Sequence, residues 1–117
     1  MLETKESYSK GIAFIVSSCD KYKFLWDPFF KSLNKYWPDC PFKLYLITNL
    51  EEYHNDQVKT LKIGEDKSFS DNLIKAISMV EENKFILWFE DVFFSGKVLT
   101  NQFLELLCNS EKNNCDY

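Results

Sequence analysis

The sequence predicts an α/β sandwich built on a mostly parallel sheet, and three observations predict it. Apolar runs of strand length alternate with stretches of helical period along most of the chain. Their order is strand, helix, strand, strand, helix, strand, helix, which carries the chain between parallel strands through crossovers. One run, "FILWF" at residues 85–89, is almost continuously apolar, as expected of a central strand covered on both faces.

The elements follow in order. "GIAFIVS", residues 11–17, is rich in β-branched and aromatic residues and reads as a buried strand, with "SCDKY" as the loop at its carboxyl end. In "LWDPFFKSLNKYWPD", Asp27 reads as an N-cap and Pro28 as the first helical residue. Trp26, Phe29, Phe30, Leu33, Tyr36 and Trp37 recur at helical spacing and are read as core packing, and Pro38 ends the helix. "FKLYLITN" is the second strand, "NLEEYHND" a loop or short helix, and "QVKTLKIG" a short third strand at a sheet edge. In "FSDNLIKAISMVEEN", Phe69, Leu73, Ala76, Ile77 and Val80 share one helical face. Ser68 and Asp71 give a capping signature, and Asn83 gives a stop. After the fourth strand, "SGK" turns the chain into a last helix, "VLTNQFLELLCNS", with Thr100 as cap and Leu99 stapled to Leu104. The expected organisation is a polar lead over residues 1–10, one domain over 11–108, and a polar tail over 109–117.

Composition limits the function. A net charge of -4 argues against a basic nucleic-acid-binding face. No apolar run reaches the length of a membrane span, and the polar start carries no signal-peptide pattern, so the expected compartment is the cytoplasm. Cys19, Cys40, Cys108 and Cys115 form no CxxC pair and no zinc-type cluster, so they are read as free thiols. A thiol redox protein lacks its cysteine pair, and His54, the single histidine, sits in a polar loop. Glycine-rich dinucleotide and P-loop patterns are absent.

Parallel α/β sheets bind ligands at the carboxyl ends of their strands. Two polar clusters fall there. Ser17, Ser18, Cys19 and Asp20 follow the first strand, and Glu90 and Asp91 follow the fourth. Adjacent carboxylates suit a hard divalent cation such as Mg2+ or Mn2+, which also takes phosphate oxygens. Their alternative role is that of a solvated strand end. Successive strand side chains point to opposite faces, so both can reach one ion only where the backbone has left strand geometry. Asp71 is explained by capping, with a nucleotide contact as its alternative role.

The residues that carry a resemblance are "IAFIVSSCDKYKFLWDPFFKSLNKYWPDCPFKLYLITN", then "GEDKSFSDNLIKAI", then "FILWFEDVFF". Together they resemble the opening of a group of bacterial glycosyltransferases of the GT-A type. The resemblance implies a Rossmann-like three-layer sandwich that binds a nucleotide-diphosphosugar donor. It implies nucleotide-sugar contacts from Ser17, Ser18, Asp20, Tyr22 and Asp71, and a divalent metal at Glu90 and Asp91. It also implies a role in bacterial surface polysaccharide or lipopolysaccharide synthesis, in the cytoplasm or at the cytoplasmic face of the membrane. The family pattern has Asp where this chain has Glu90, and often a basic residue where it has Asn72. The matched region corresponds to the N-terminal, donor-binding half of such enzymes. The acceptor site and catalytic base would lie in a second half, so self-association or a separate second half is expected. The competing expectation is a non-catalytic interaction module that keeps the sheet.

Overall fold

The computed structural model describes residues 11–94 and 96–112, with side chains described as far as Leu107. The expected lead over residues 1–10, Ser95 of the "SGK" turn, the Cys108 side chain and Cys115 lie outside the described residues.

Four strands form one sheet: β1 (Ile12–Ser17), β2 (Lys43–Thr48), β3 (Val58–Lys62) and β4 (Lys84–Phe89). Their order is β3-β2-β1-β4, and every neighbouring pair is parallel. A 3-10 helix at Asp20–Leu25 leads into helix α1 (Trp26–Tyr36); α2 spans Phe69–Ile77 and α3 spans Thr100–Lys112. The expected α/β class with a parallel sheet is what is found.

Strand alternation divides the apolar residues between two cores. Ile12, Phe14 and Val16 of β1, with Leu44 and Leu46 of β2, pack against Trp26, Phe29, Phe30 and Leu33 of α1 and Leu104 of α3. Ala13, Ile15, Tyr45 and Ile47 face the other way and meet Ala76, with Leu73, Ile77 and Val80 alongside. Helices therefore cover both faces, α1 and α3 on one and α2 on the other. The buried phenol of Tyr45 donates to Glu82 Oε1 at 2.6 Å, so this polar atom is satisfied at the end of its core.

The β2–β3 crossover, residues 49–57, carries no helix. Parallel pairs usually need a longer connection. Here Tyr53 takes the place of a helix, stacking on Phe30 at 5.3 Å and meeting Trp26 edge-on at 6.1 Å.

The structure corrects four local expectations. Asp27 is not the N-cap of α1. The preceding 3-10 turn delivers the chain directly into the helix, with the Trp26 N–H donating to Lys23 O. Asp27 instead sits in the first turn, pairing with Lys31 at 3.1 Å and accepting from Tyr53 Oη at 3.1 Å. Helix α2 stops at Ile77, before Asn83, where the Met79 and Val80 amides turn back only three residues, to Ala76 O and Ile77 O. Its start is as expected, with Ser68 Oγ accepting from the Asp71 N–H. Thr100 does not cap α3 from outside. It is the first helical residue, and its hydroxyl accepts the Trp37 indole N–H at 2.7 Å, while Leu99 is 53% exposed. The helix runs on to Lys112, into the expected tail.

The fourth correction concerns β4. Its apolar sequence suggests a central strand, yet it lies at the sheet edge, with Phe85 and Phe89 each 41% exposed. The chain leaves β3 through α2 and returns on the far side of β1, where β4 has one strand neighbour among the described residues. The opposite edge is β3, as its short sequence predicts.

Candidate functional site at the carboxyl ends of the strands

The strand order reverses at β1: β2 and β3 lie on one side of it and β4 on the other. Such a switch point opens a crevice between the carboxyl ends of the two diverging strands, and open α/β sheets bind ligands there. The register pairs Ser17 with Phe89. The two residues that follow, Ser18 and Glu90, are therefore neighbours, although they lie far apart in sequence.

Regular strand geometry ends at Phe89, and Glu90 and Asp91 occupy a turn. The Val92 N–H donates to Phe89 O at 3.1 Å, and the Trp88 indole donates to Val92 O at 2.8 Å. The backbone condition for joint action of the two carboxylates is thus met. Their environments differ. Glu90 is buried at 8% exposure and Asp91 is exposed. Burial raises the proton affinity of Glu90 and the Asp91 charge adds to it, while a hydrogen bond from Ser18 opposes it. The Ser18 hydroxyl is itself fixed from behind, accepting the Trp26 indole N–H at 2.8 Å. That hydroxyl also lies 3.4 Å from Cys19 O, to which it can donate.

Asp20 does something else. Its carboxylate accepts the N–H groups of Asn49 at 2.9 Å, Leu50 at 2.9 Å and Glu51 at 3.2 Å. Burial opposes its ionisation, but these amides and the Lys23 charge outweigh that and hold its carboxyl below the usual range. The Asn49 amide completes the joint, accepting the Asp20 N–H at 3.0 Å and donating to Gly64 O at 3.0 Å. Gly64 has φ 83°, a conformation that favours glycine, and its N–H returns to Asn49 O. The carboxyl ends of β1, β2 and β3 are tied together at this point.

The remaining predicted residues are dispersed. Ser17 ends β1 and is half-buried. Tyr22 is exposed on the 3-10 helix, with its ring 6.4 Å from that of Phe24 and Lys21 Nζ 5.7 Å above it. Asp71 is exposed at the start of α2 and lines a different cleft, of about 510 Å³, with Glu65, Lys67, Asn72 and Lys75. Asn72, at the position where the resemblance implies a basic residue, organises the loop before α2. It accepts the Lys67 N–H at 3.0 Å and donates to Asp66 Oδ1 at 2.6 Å.

Comparison with protein-family models, curated proteins and solved structures gives no match. The functional reading therefore rests on the geometry of the crevice and on the motifs in the sequence.

Sequence reasoning missed four contributors. Trp26 was assigned to the core, which is correct for its ring but omits its N–H. Phe69 and Phe89, both partly exposed, stack at 6.1 Å between the start of α2 and the carboxyl end of β4. Asp66, from the polar loop, lies close enough to act electrostatically on Cys19. Only Asp66 had a visible signal, its place in a charged loop at a strand's carboxyl end.

A larger cleft, of about 660 Å³, is lined by Lys43, Leu44, Val58 and Lys59 together with His54 and its loop. Those strand residues are the amino-terminal ends of β2 and β3, the wrong end of a parallel sheet for ligand binding. We therefore place the candidate site in the β1–β4 crevice.

The thiols fit a structural role. Burial pushes the Cys40 thiol up to about 11. Burial also raises that of Cys19, with Asp66 and Glu90 adding to it against the Lys21 and Tyr22 amides. Both are expected to react with a thiol reagent at pH 8 more slowly than a free cysteine. Mass-spectrometric mapping of alkylation against time checks this, and fast labelling of Cys19 would reopen a nucleophilic role.

Proposed function

We propose that the protein binds a nucleotide-diphosphosugar in the crevice between the carboxyl ends of β1 and β4, as the donor-binding part of a GT-A type glycosyltransferase with a Rossmann-like fold. The observation that carries this reading is the meeting of Ser18 and the Glu90–Asp91 turn at the point where the strand order reverses. The motif resemblance supplies the ligand class, and the acidic crevice supplies a reason for a cation.

A divalent metal, Mn2+ or Mg2+, would be held by Asp91 at the rim and Glu90 behind it. Among the described residues no group of three or more His, Cys, Asp or Glu side chains forms a metal cage. Any cation held by this pair would take the rest of its shell from diphosphate oxygens and water. Such an ion, when bound, would stabilise the leaving diphosphate as a Lewis acid. Ser17 and Ser18 offer hydroxyls to the nucleotide, the exposed Tyr22 ring offers a stacking surface, and Asp20 holds their loop in place. The acceptor and the base that activates it are not assigned to residues of this chain.

Calorimetric titration with UDP and related nucleotides, with and without Mn2+, tests the reading. Binding is expected only with the metal, and Asp91→Asn is expected to weaken it about ten-fold or more, the loss of one charged metal–ligand contact. Absence of binding by any nucleotide in either condition overturns it. A second reading, an interaction module without turnover, draws support from the partly exposed apolar side chains of Phe85, Phe89, Val92 and Phe93. Among the described residues no helix is long and apolar enough to cross a membrane.

A further inference from the structure

We propose that Trp88 is the positioning residue of the Glu90–Asp91 turn, its indole N–H holding the backbone in the form that lets both carboxylates serve one cation. The role rests on the donor-binding reading, since the cation is that of the same site.

Adjacent residues of a regular strand point to opposite faces, so joint action of Glu90 and Asp91 needs a departure from the strand that is held in place. Packing contributes little at the turn itself, where Asp91 is exposed and Val92 is 48% exposed. Hydrogen bonds hold it instead. The Val92 N–H donates to Phe89 O at 3.1 Å, and Val92 O accepts the Trp88 indole N–H at 2.8 Å. Both backbone polar groups of the residue after Asp91 are thus engaged, one by the last residue of β4 and one by a side chain. The indole bond runs from residue 88 to residue 92 and so spans the two carboxylates.

The clamp is anchored in the sheet. Trp88 pairs in register with Val16 of β1, and its ring lies 5.7 Å from that of the fully buried Phe14. Phe94 stacks on the same indole at 5.1 Å, with the two planes 4° apart. The Phe94 N–H in turn donates to Ser32 Oγ of α1 at 3.3 Å. One side chain therefore closes the turn with its N–H and receives the chain beyond it on its ring face. A turn held in advance presents its carboxylates without the cost of ordering them on binding. Phenylalanine at this position keeps an aromatic face for the stack and loses the donor, so a single substitution separates the two contributions.

Calorimetric titration with UDP in the presence of Mn2+ reads the role. Trp88→Phe is expected to weaken binding about three- to ten-fold, the scale of one lost hydrogen bond, with circular dichroism unchanged. Two comparisons distinguish positioning from general loosening. Trp37→Phe removes another indole bond from the same core, that to Thr100 Oγ1, and is expected to leave the affinity within about two-fold. In an Asp91→Asn chain, Trp88→Phe is expected to cost less than about two-fold more, because the contact it supports has already gone. Amide exchange supplies a readout without any ligand: the Val92 N–H is expected to exchange faster in Trp88→Phe than in the parent chain. Unchanged affinity or unchanged Val92 exchange in Trp88→Phe, an equal loss in Trp37→Phe, or full additivity with Asp91→Asn would each overturn the role and leave the donor-binding reading standing. A Trp88→Phe chain that does not fold would make Trp88 a structural residue and overturn it likewise. Failure of the parent chain to bind UDP with Mn2+ would overturn it together with that reading.

Discussion

Trp37→Ala is expected to lower the unfolding free energy by about 3–5 kcal/mol, the range for deleting a buried tryptophan side chain. Trp37 is 1% exposed at the end of α1. Its ring meets those of Phe103 at 5.1 Å, Phe42 at 5.7 Å, Phe94 at 6.1 Å and Phe14 at 6.2 Å. Its indole N–H donates to Thr100 Oγ1 at 2.7 Å. One side chain therefore joins α1, β1, the segment after β4, and α3. Alanine would remove the four ring contacts and the bond that positions the start of α3. A domain of this size has a total stability of about 5–15 kcal/mol, so the loss is a large share. Trp37→Phe would keep most of the packing and lose the hydrogen bond, for about 1 kcal/mol from that bond plus a modest cavity term. Urea unfolding followed by circular dichroism reads both. A Trp37→Ala loss below that of Trp37→Phe would contradict the packing of α3 on this core.

The sequence made the elements legible because their periods differ. "GIAFIVS" and "KLYLIT" could not be confused with the three-to-four spacing of Trp26, Phe29, Phe30 and Leu33, and all four strands fall where the pattern put them. Helix ends were less legible. The start of α3 carries a contact across the fold, Thr100 with Trp37, whose partner a local pattern cannot reveal. The place of β4 was misread for a related reason. Continuous apolarity reports side chains that want cover, and does not report which element supplies it.

The candidate site was legible in part. The expectation that polar clusters after two strands face one crevice needed the strand order, which composition does not encode, and the β1–β4 register supplies it for Ser18 and Glu90. The clusters themselves were visible because polar residues interrupt apolar strands there. What the sequence could not show is the division of labour inside each cluster. Of two adjacent carboxylates, one is buried against Ser18 and the other is exposed. Of four residues after β1, the one most suggestive of a ligand contact, Asp20, has its oxygens engaged by backbone amides.

That engagement leads to the second large effect. Asp20→Ala is expected to cost about 2–3 kcal/mol at neutral pH, the scale for hydrogen bonds to a charged acceptor when the freed amides can still find water. Leu50 and Glu51 lie at the surface, so their N–H groups are rehydrated and the loss stays below that of a buried orphan. Asp20→Asn, which keeps one acceptor oxygen, should lose about half as much by the same reasoning. The pH dependence has a definite sign. The Asp20 carboxyl titrates lower in the folded protein than its ordinary value near 4, so its contribution is complete above that value and is lost as pH falls through the folded one. The gap in stability between the natural protein and Asp20→Asn should therefore be widest at pH 5–7 and shrink below about pH 4. Urea titrations at pH 7, 5 and 3 measure it, and a gap of equal size at pH 3 and pH 7 would show that the carboxylate charge is not what holds the β2–β3 connection. The same variants separate two roles at the crevice. If Asp20 only fixes the loop that carries Ser18, nucleotide affinity should fall in step with stability across Asp20→Asn and Asp20→Ala. An affinity loss in Asp20→Asn out of proportion to its stability loss would instead make Asp20 a direct ligand contact.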